Sequence, residues 1–490
     1  MINNPILPGF NPDPSICRVD EDYYIATSTF EWFPGVQIHH SRDLVNWRLL
    51  GHALNETRLL DLKGVPSSGG VWAPALSYSD GLFYLCYTVV HQHEAATKDT
   101  PNFLITAPSI EGPWSEPVFV NSSGFDPSLF HDEDNKKYWL NMIWDHRPGK
   151  HPFYGIAIQE YDLPSGSLIG NREIIFKGSS LGLTEGPHIY RRNGYYYLLT
   201  AEGGTGYDHA VSLARSRDIF GPYEIHPNNP ILTSSGNPEL KLQKAGHASL
   251  VETPQGEWYM PHLCGRPLPD SKNCNLGRET AIQKVEWHQD NWLYLAGGEN
   301  QPKMEVPAPN LKPHPWPALA DRLPFDSPHY ATPRGPSSSV MPEPNSLTLH
   351  GAESLESNFE QAMLARRLTS QNLTATTKIS FKPENFQQMA GLAAYYNTYL
   401  FHYLYLSMDE EKGLCLQIHS CDDGKSNFPL GGEIIPVSNN ELFLRASFND
   451  KRLQFYYSHC GQDFLKIGPV LDASILSDDH GEHWGFTGTF

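Results

Sequence analysis

The chain has 490 residues, with 36 Lys and Arg against 55 Asp and Glu, which gives a formal net charge of −19. An apolar fraction of 39% with 12% aromatic residues is typical of a chain with large buried cores, and the length predicts two large domains. The acidic balance excludes nucleic acid as a partner, because the basic residues form no run longer than a pair such as Arg191-Arg192.

Five segments within the first three hundred residues open in the same way. They run from Phe10 to Ile16 (FNPDPSI), Gly70 to Leu76 (GVWAPAL), Gly124 to Leu129 (GFDPSL), Leu183 to Ile189 (LTEGPHI) and Ala245 to Leu250 (AGHASL). Their Pro or Ala marks stand at positions 14, 74, 127, 187 and 248, so the spacings are 60, 53, 60 and 61. A fixed period of this kind indicates a repeat architecture.

Each opening is followed by a polar turn and then by an aromatic, β-branched run, which predicts a hairpin. These runs are 22–27, 82–87, 137–142, 194–199 and 257–260. A third strand is predicted at 36–40, 103–107 and 210–214, and an "x-W" or "G-P-[WY]" segment near the end of a unit suits a fourth. Four strands repeated five times predict an all-β fold in which residues 1–300 form a five-bladed β-propeller.

The character of the chain changes at Gln301. Twelve of its forty prolines lie between Pro302 and Pro344, so residues 301–346 are predicted to be a Pro-rich linker. Residues 347–490 then show short alternating runs, which predict a β-sandwich. These runs are 373–381, 391–397, 399–408, 414–419, 442–448 and 453–458.

The termini and cysteines predict the compartment. The N-terminal residues MINNP do not combine a basic region with an apolar stretch, and no window of about 18 apolar residues occurs. The seven cysteines are odd in number, scattered and without a C-x-x-C pair, so they signal neither a zinc site nor a disulfide framework. We therefore expect a cytoplasmic protein that contacts no membrane.

The repeat openings also predict which side chains meet at the propeller axis, because the first strand of each blade lines the central channel. Aligned, they place Asp13, Ala73, Asp126, Gly186 and His247 in equivalent positions, with Trp72, Phe125 and Glu185 one residue earlier. Converging carboxylates raise one another's pKa, so that one stays protonated while its neighbour is ionised. Glycoside hydrolysis needs such a pair.

Other interpretations of these residues remain open at this point. An Asp before Pro is commonly a turn residue, and His247 could plug the channel, contact substrate or act as an axial ligand of a cation such as Ca²⁺. Phe30, Trp72 and Trp144 are either core aromatics or rings that stack on sugar. Arg278 is either a substrate partner or one member of a rim salt bridge.

Several ungapped motifs resemble glycoside hydrolase family 43, in particular its β-xylosidases with a C-terminal β-sandwich, and this resemblance implies that the sandwich is concanavalin-like. They are NPDPS (11–15), STFEWFPGV (28–36), SGGVWAP (68–74), SGFDPSLF (123–130), LTEGPH (183–188), AEGG (201–204), LGRET (276–280), NFQQMAG (385–391) and YYN (395–397). The resemblance covers nearly the whole chain and implies an inverting hydrolase.

The resemblance also implies roles for single residues. Asp13 matches the family's general base, Glu185 its general acid, and Asp126 the residue that tunes and orients the acid. Arg278 matches the pocket arginine, and Phe30, Trp72 and Trp144 match the pocket aromatics. The segment WGFTG (484–488) is similar to a sandwich loop that closes the pocket and presents Phe486. The family implies further strands after this loop, whereas the sequence ends at Phe490, which would leave an unpaired sheet edge.

We therefore predict an exo-acting β-1,4-xylosidase that releases xylose from the non-reducing ends of xylo-oligosaccharides, requires no cofactor, and forms a homo-oligomer, either a dimer or a tetramer. The nearest alternative is an α-L-arabinofuranosidase or a bifunctional enzyme. A retaining fructoside enzyme is disfavoured, because Phe125-Asp126 and Glu185-Gly186 stand where that group carries Arg-Asp and Glu-Cys. A non-catalytic carbohydrate-binding propeller is the alternative from another class.

Overall fold

The computed structural model describes residues 1–343, 345–482 and 485–490, and its regular structure is β-strand apart from one short 3-10 helix, Ala473–Ile475. The strands up to Val306 are β1 (Ile2–Asn3), β2 (Ser15–Val19), β3 (Asp22–Thr27), β4 (Trp32–Phe33), β5 (Gly35–Ser41), β6 (Arg48–Leu54), β7 (Gly70–Ser79), β8 (Leu82–Val90), β9 (Asn102–Ala107), β10 (Val118–Asn121), β11 (Ser128–His131), β12 (Lys137–Trp144), β13 (Phe153–Asp162), β14 (Ser167–Phe176), β15 (Glu185–Arg192), β16 (Tyr195–Glu202), β17 (Ala210–Ser216), β18 (Glu224–Ile225), β19 (Leu232–Thr233), β20 (Gln243–Ala248), β21 (Val251–Glu252), β22 (Trp258–Gly265), β23 (Arg278–Trp287), β24 (Leu293–Leu295) and β25 (Glu305–Val306). The later strands are β26 (Tyr330–Pro333), β27 (Val340–Pro342), β28 (Leu347–Leu349), β29 (Ala365–Arg366), β30 (Asn372–Ser380), β31 (Ala390–Asn397), β32 (Leu400–Asp409), β33 (Gly413–Asp422), β34 (Lys425–Asn427), β35 (Ile435–Pro436), β36 (Glu441–Asn449), β37 (Arg452–Ser458) and β38 (Leu465–Asp472).

The five sequence repeats correspond to five antiparallel sheets. Their strand orders are β2-β3-β5-β6, β7-β8-β9-β10, β11-β12-β13-β14, β15-β16-β17-β18 with β19 beside β17, and β20-β22-β23-β24 with β21 beside β22. In each sheet the four main strands follow one another in chain order. The "x-W" and "G-P-[WY]" segments precede the fourth strands β6, β10 and β18.

Side-chain hydrogen bonds join each sheet to the next and the fifth sheet to the first. They are Leu76 N–H to Ser15 Oγ (2.9 Å), Ser77 Oγ with His131 Nε2 (2.9 Å), Ser128 Oγ–H to the Pro187 carbonyl (2.5 Å), Leu250 N–H to Tyr190 Oη (2.8 Å) and Ser249 Oγ–H to the Pro14 carbonyl (2.8 Å). The innermost strands are thereby tied in a closed series, as a propeller requires.

Apolar side chains fill the spaces between neighbouring sheets. Leu76 and Leu85 of the second sheet share a core with Ile38 of the first, and Leu199 of the fourth shares one with Met260 of the fifth. Each fully buried aliphatic side chain contributes about 1.5–3 kcal/mol relative to an exposed one. The cores hold the sheets firmly, so the loops at their ends have rigid supports.

The chain divides into two compact units. The first comprises Met1–Gly265, Glu279–Leu323 and Arg334–Pro336, and the second comprises Arg266–Arg278, Pro324–Pro333 and Ser337–Phe490. The second unit contains two antiparallel sheets, β30-β36-β37-β38 and β31-β32-β33-β34 with β35 beside β33. Leu404, Leu416, Leu444 and Phe455 pack in one core formed by residues of both sheets. The predicted all-β fold with a sandwich is confirmed.

The last residues are bonded to strands of the second unit. Phe490 N–H donates to the Tyr395 carbonyl (2.7 Å), Tyr395 N–H donates to the Phe490 carbonyl (3.0 Å), and Leu368 N–H donates to the Thr489 carbonyl (2.8 Å). Both backbone groups of Phe490 are therefore paired.

Candidate active site

The five repeat openings share a left-handed backbone conformation at the position predicted to face the channel. Asp13, Ala73, Asp126, Gly186 and His247 have φ values of 56°, 35°, 56°, 56° and 42°. The left-handed region costs an L-residue about 1–2 kcal/mol, and such strain concentrates at functional sites. The positions that the alignment treats as equivalent therefore share a conformation.

Asp13 is buried at the start of the first sheet, with 6% of its surface exposed. Its Oδ2 accepts a hydrogen bond from Ser28 Oγ (2.6 Å), and the same Oγ accepts one from Ala73 N–H (2.8 Å). Its Oδ1 lies 3.8 Å from Nδ1 of His247. A carboxylate held in this way can remove a proton from a water molecule.

Asp126 is fixed to the residue that follows the predicted acid. Its Oδ2 accepts a hydrogen bond from Gly186 N–H (3.0 Å), so Asp126 holds the backbone next to Glu185. A Cβ at Gly186 would lie 3.0 Å from Cε1 of His247, and its φ is positive, so glycine is required there. His247 therefore lies against both Asp13 and Gly186, which brings residues of the first, third, fourth and fifth repeats together.

Buried amides support the segment that carries Asp126. Asn102 Nδ2 donates to the Gly124 carbonyl (2.9 Å) and to Asn121 Oδ1 (2.8 Å), and its own Oδ1 accepts from Thr88 Oγ (2.7 Å). Asn121 donates in turn to Asn141. A fully bonded buried network of this kind rigidifies the backbone around it.

Glu185 begins β15, is partly exposed, and pairs in register with Ala201 of β16. The buried Thr184 precedes it and donates its hydroxyl to Glu202 (2.7 Å). Sequence reasoning noted Glu202 only as part of the AEGG motif, although a carboxylate in an otherwise apolar strand end was a signal that it had a local role. A partly exposed carboxyl group between fixed neighbours is suited to donating a proton to a bound substrate.

The predicted pocket aromatics belong to one continuous series of rings. Phe30 lies 6.0 Å from Trp72, which meets Phe125 edge-on at 5.4 Å, and Phe125 lies 6.3 Å from Trp144. Trp72 Nε1 donates to the Ser68 carbonyl (2.9 Å), so its ring is fixed. The structure brings Phe30, Trp72 and Trp144 together and adds Phe125, which the repeat alignment had placed beside Asp126.

Two further residues of this aromatic wall were missed. His93 lies 5.6 Å from Trp72, and Phe153 lies 5.6 Å from Trp144. Burial lowers the pKa of His93, so its ring is neutral near neutral pH. Both residues lie outside the repeat openings, where no periodic signal marks them.

Arg278 and Phe486 lie in the second unit and contact each other. The Phe486 carbonyl accepts hydrogen bonds from Nε (3.2 Å) and Nη2 (2.8 Å) of Arg278, and the guanidinium lies 5.2 Å from the centre of the Phe486 ring. Trp484, the first residue of the predicted loop motif, lies outside the described residues. Contact of Arg278 and Phe486 with substrate stays a prediction.

The described residues give no support for a metal centre made of side chains. No group of three or more His, Cys, Asp or Glu with metal-binding geometry occurs in the described part of the chain, and His247 contributes only its contact with Asp13 to such a set. A cation at His247 stays a prediction. Within the same residues, no helix has the length and apolar character needed to cross a membrane.

Comparison with protein families identifies the two parts of the chain. The model for glycosyl hydrolases family 43 matches residues 2–293, and the model for the beta xylosidase C-terminal concanavalin A-like domain matches residues 321–490. The chain belongs to glycosyl hydrolases family 43. The family resemblance predicted from the motifs is thereby confirmed, as is the predicted hydrolase class.

Relatives within family 43 match along the full chain. "Xylosidase/arabinosidase 43B" of Humicola insolens is 50% identical over 505 residues, covering 100% of this chain and 93% of the relative. "Xylan 1,3-beta-xylosidase" of Vibrio sp is 48% identical, with coverages of 100% and 95%. A solved structure of xylan beta-1,4-xylosidase from Bacillus halodurans C-125 is 51% identical and has a TM-score of 0.98. The match covers 100% of this chain and 95% of that structure's chain.

Proposed function

We propose that this family 43 protein is an exo-acting β-xylosidase that hydrolyses the terminal β-xylosidic bond of xylo-oligosaccharides with inversion. The observation that supports the proposal is the contact of His247 with both Asp13 and Gly186, together with the bond from Gly186 N–H to Asp126, because these contacts connect two carboxylates to the residue that follows Glu185. Relatives named as xylosidases at 48–51% identity support the sugar.

In this mechanism Asp13 removes a proton from water as the water attacks the anomeric carbon, and Glu185 donates a proton to the leaving oxygen. Asp126 holds Gly186, and with it Glu185, in place. The aromatic wall of Phe30, Trp72 and Trp144 offers ring faces to the apolar side of the sugar. The chemistry requires no cofactor, because water, one base and one acid balance the reaction.

The stereochemical course tests the mechanism. Inversion at a β-bond gives α-xylose as the first product from xylobiose, which proton NMR detects before mutarotation. Glu185→Ala should lower kcat for xylobiose by about 10²–10⁴-fold, since general acid catalysis contributes about that much. A first product of β-configuration would mean that the proposed roles of Asp13 and Glu185 are wrong. Unchanged turnover in Glu185→Ala would exclude Glu185 as the acid.

The linkage and the second sugar need their own comparison, because the relatives carry names for β-1,3-xylosidase, β-1,4-xylosidase and xylosidase/arabinosidase. We propose β-1,4 as the main linkage, with α-L-arabinofuranosidase activity as the second candidate. Turnover of β-1,4-xylobiose, β-1,3-xylobiose and the two aryl glycosides by one preparation decides between them. A homo-oligomer is a further proposal, which sedimentation velocity checks.

A further inference from the structure

We propose that Glu202 is a positioning residue for the acid: its buried carboxylate holds the segment 178–184 so that Glu185 keeps the position from which it protonates the leaving oxygen. The inference rests on the proposed function and on the role of Glu185 within it.

The carboxylate of Glu202 is fully buried and accepts four hydrogen bonds. Its Oε1 accepts from Ser179 N–H (2.6 Å) and Thr184 Oγ–H (2.7 Å), and its Oε2 accepts from Ser179 Oγ–H (2.5 Å) and Ser212 Oγ–H (2.5 Å). An ionised carboxylate offers about four lone-pair sites, so these donors use its capacity. Glu202 is therefore built to hold hydroxyl and amide donors, and not to exchange protons with substrate.

These bonds hold both the residue before Glu185 and the neighbouring strand that pairs with it. Thr184 precedes Glu185 in the chain, and Ala201, which precedes Glu202, pairs with Glu185 across the β15–β16 ladder. A Cβ at Gly178 would lie 2.0 Å from Thr184 Oγ and 2.9 Å from Glu202 Oε1, so the backbone at the start of the segment packs directly against Thr184 and the Glu202 carboxylate.

A backbone hydrogen bond also holds the C-terminal part of the segment 178–184. Gly203 N–H donates to the Gly182 carbonyl (2.9 Å), and Leu183 has a φ of 51°, a conformation that an L-residue keeps only when its surroundings impose it. With the Glu202 bonds removed, the strained turn before Glu185 loses its main support. The expected result is a misplaced acid in an otherwise folded sheet.

A misplaced general acid affects substrates according to their leaving groups. Xylobiose expels a sugar hydroxyl, which needs a proton in the transition state, whereas a 4-nitrophenyl xyloside expels an anion that is stable without one. Loss of acid positioning therefore lowers the rate for xylobiose more than for the aryl xyloside. A merely structural residue lowers both rates by the same factor, because it changes only the amount of competent enzyme.

The experiment compares kcat/KM for xylobiose and 4-nitrophenyl β-xyloside in Thr184→Val and Glu202→Ala. We expect Thr184→Val to lose about tenfold on xylobiose and less than about threefold on the aryl xyloside, and Glu202→Ala to lose about 100-fold and less than about tenfold. Glu202→Gln, whose amide oxygen can still accept from Ser179 N–H and Thr184, should recover most of the xylobiose rate.

Asp43→Ala is the matched control. Asp43 is also buried, and its carboxylate accepts bonds from Val45 N–H (2.9 Å), Asn46 N–H (2.7 Å) and His314 N–H (2.7 Å). It follows β5 at the end where Ser41 pairs with Tyr23, which is the opposite end of the sheet from Asp13. Its loss should reduce stability without separating the two substrates.

Equal losses on the two substrates, or no loss in folded variants, would overturn the role of Glu202. If Glu202→Ala does not fold, Thr184→Val decides, because it removes one hydroxyl and keeps the side-chain shape. A wild-type protein that hydrolyses neither xyloside would overturn the proposed function, and this inference with it. A wild type active on both substrates leaves the Glu202 comparison as an independent test.

Discussion

At the scale of single residues, the site depends on glycines that allow other side chains to approach closely. Gly246 precedes His247, and a Cβ at this position would lie 2.3 Å from the ring of His209, which is itself fully buried. Because neither the ring nor the strained backbone of His247 has room to move, Gly246→Ala should lower the free energy of unfolding by about 1–3 kcal/mol. It should also reduce activity, since His247 contacts Asp13.

Gly51→Ala is the control for this substitution. Gly51 lies in β6, and a Cβ there would meet no atom within 4 Å. Urea unfolding and xyloside turnover of the two variants should therefore differ, with Gly51→Ala within about 0.5 kcal/mol of the wild type. Equal stability of the two variants would show that the fifth repeat opening can relax around an added methyl group.

At the scale of elements, two buried side chains, Glu31 and Arg334, hold the loop that precedes β7, the strand that carries Trp72. Glu31 Oε2 accepts from Ser68 N–H (3.0 Å), and Arg334 Nε donates to the Val65 carbonyl (2.6 Å). Burial raises the pKa of Glu31 to about 7, and the charge of Arg334 opposes this rise. Arg334→Met should lower stability by about 1–3 kcal/mol, because it leaves the Val65 carbonyl without its donor.

The same substitution should raise KM more than it lowers kcat, because the loop leads into the strand that carries Trp72 and holds no proposed acid or base. Steady-state kinetics on xylobiose checks the split, with Arg172→Met, an exposed position of β14, as the control. A fall in kcat alone would contradict a role in binding.

The raised pKa of Glu31 also sets how the stability of the fold depends on pH. The contribution of Glu31 to stability is present below pH 4.5 and is lost as the pH rises through about 7.

The sequence predicted the strands but not these contacts between distant segments. The run predicted at 22–27 matches β3, and that predicted at 453–458 differs from β37 by one residue, because alternation and polar turns are local signals. The positions of Asp13, Asp126 and Glu185 followed from the repeat. The partners of Glu31 and Glu202 did not, because Arg334 lies 303 positions after Glu31, and because the hydroxyl donors to Glu202 occupy unrelated places in their strands. Likewise, no change in amino-acid composition indicates that Arg266–Arg278 belongs to the second unit.

At the scale of the whole molecule, buried neutral histidines should make the fold sensitive to acid. His262 is fully buried, and burial lowers its pKa from 6.5 to about 4, although its bond to the Leu263 carbonyl opposes the shift. Burial also lowers the pKa values of His131 and His226 to about 4. The unfolded chain binds these protons at a higher pH than the folded chain does. The stabilising contribution of the neutral histidines is therefore complete above pH 6.5 and is lost as the pH falls from there towards 4.

His262→Asn isolates one of these groups, because its amide can donate to the Leu263 carbonyl and cannot titrate. Each histidine should cost the folded state about 3 kcal/mol across this window, so the variant should lose less stability between pH 6.5 and pH 4 than the wild type by about that amount. Urea unfolding at several pH values measures the slope. His459→Asn, at an exposed position of the second unit, should leave the slope unchanged. A His262→Asn curve parallel to that of the wild type would show that the imidazole binds its proton as readily in the folded protein as in the unfolded chain, and the source of acid sensitivity would then lie in other groups.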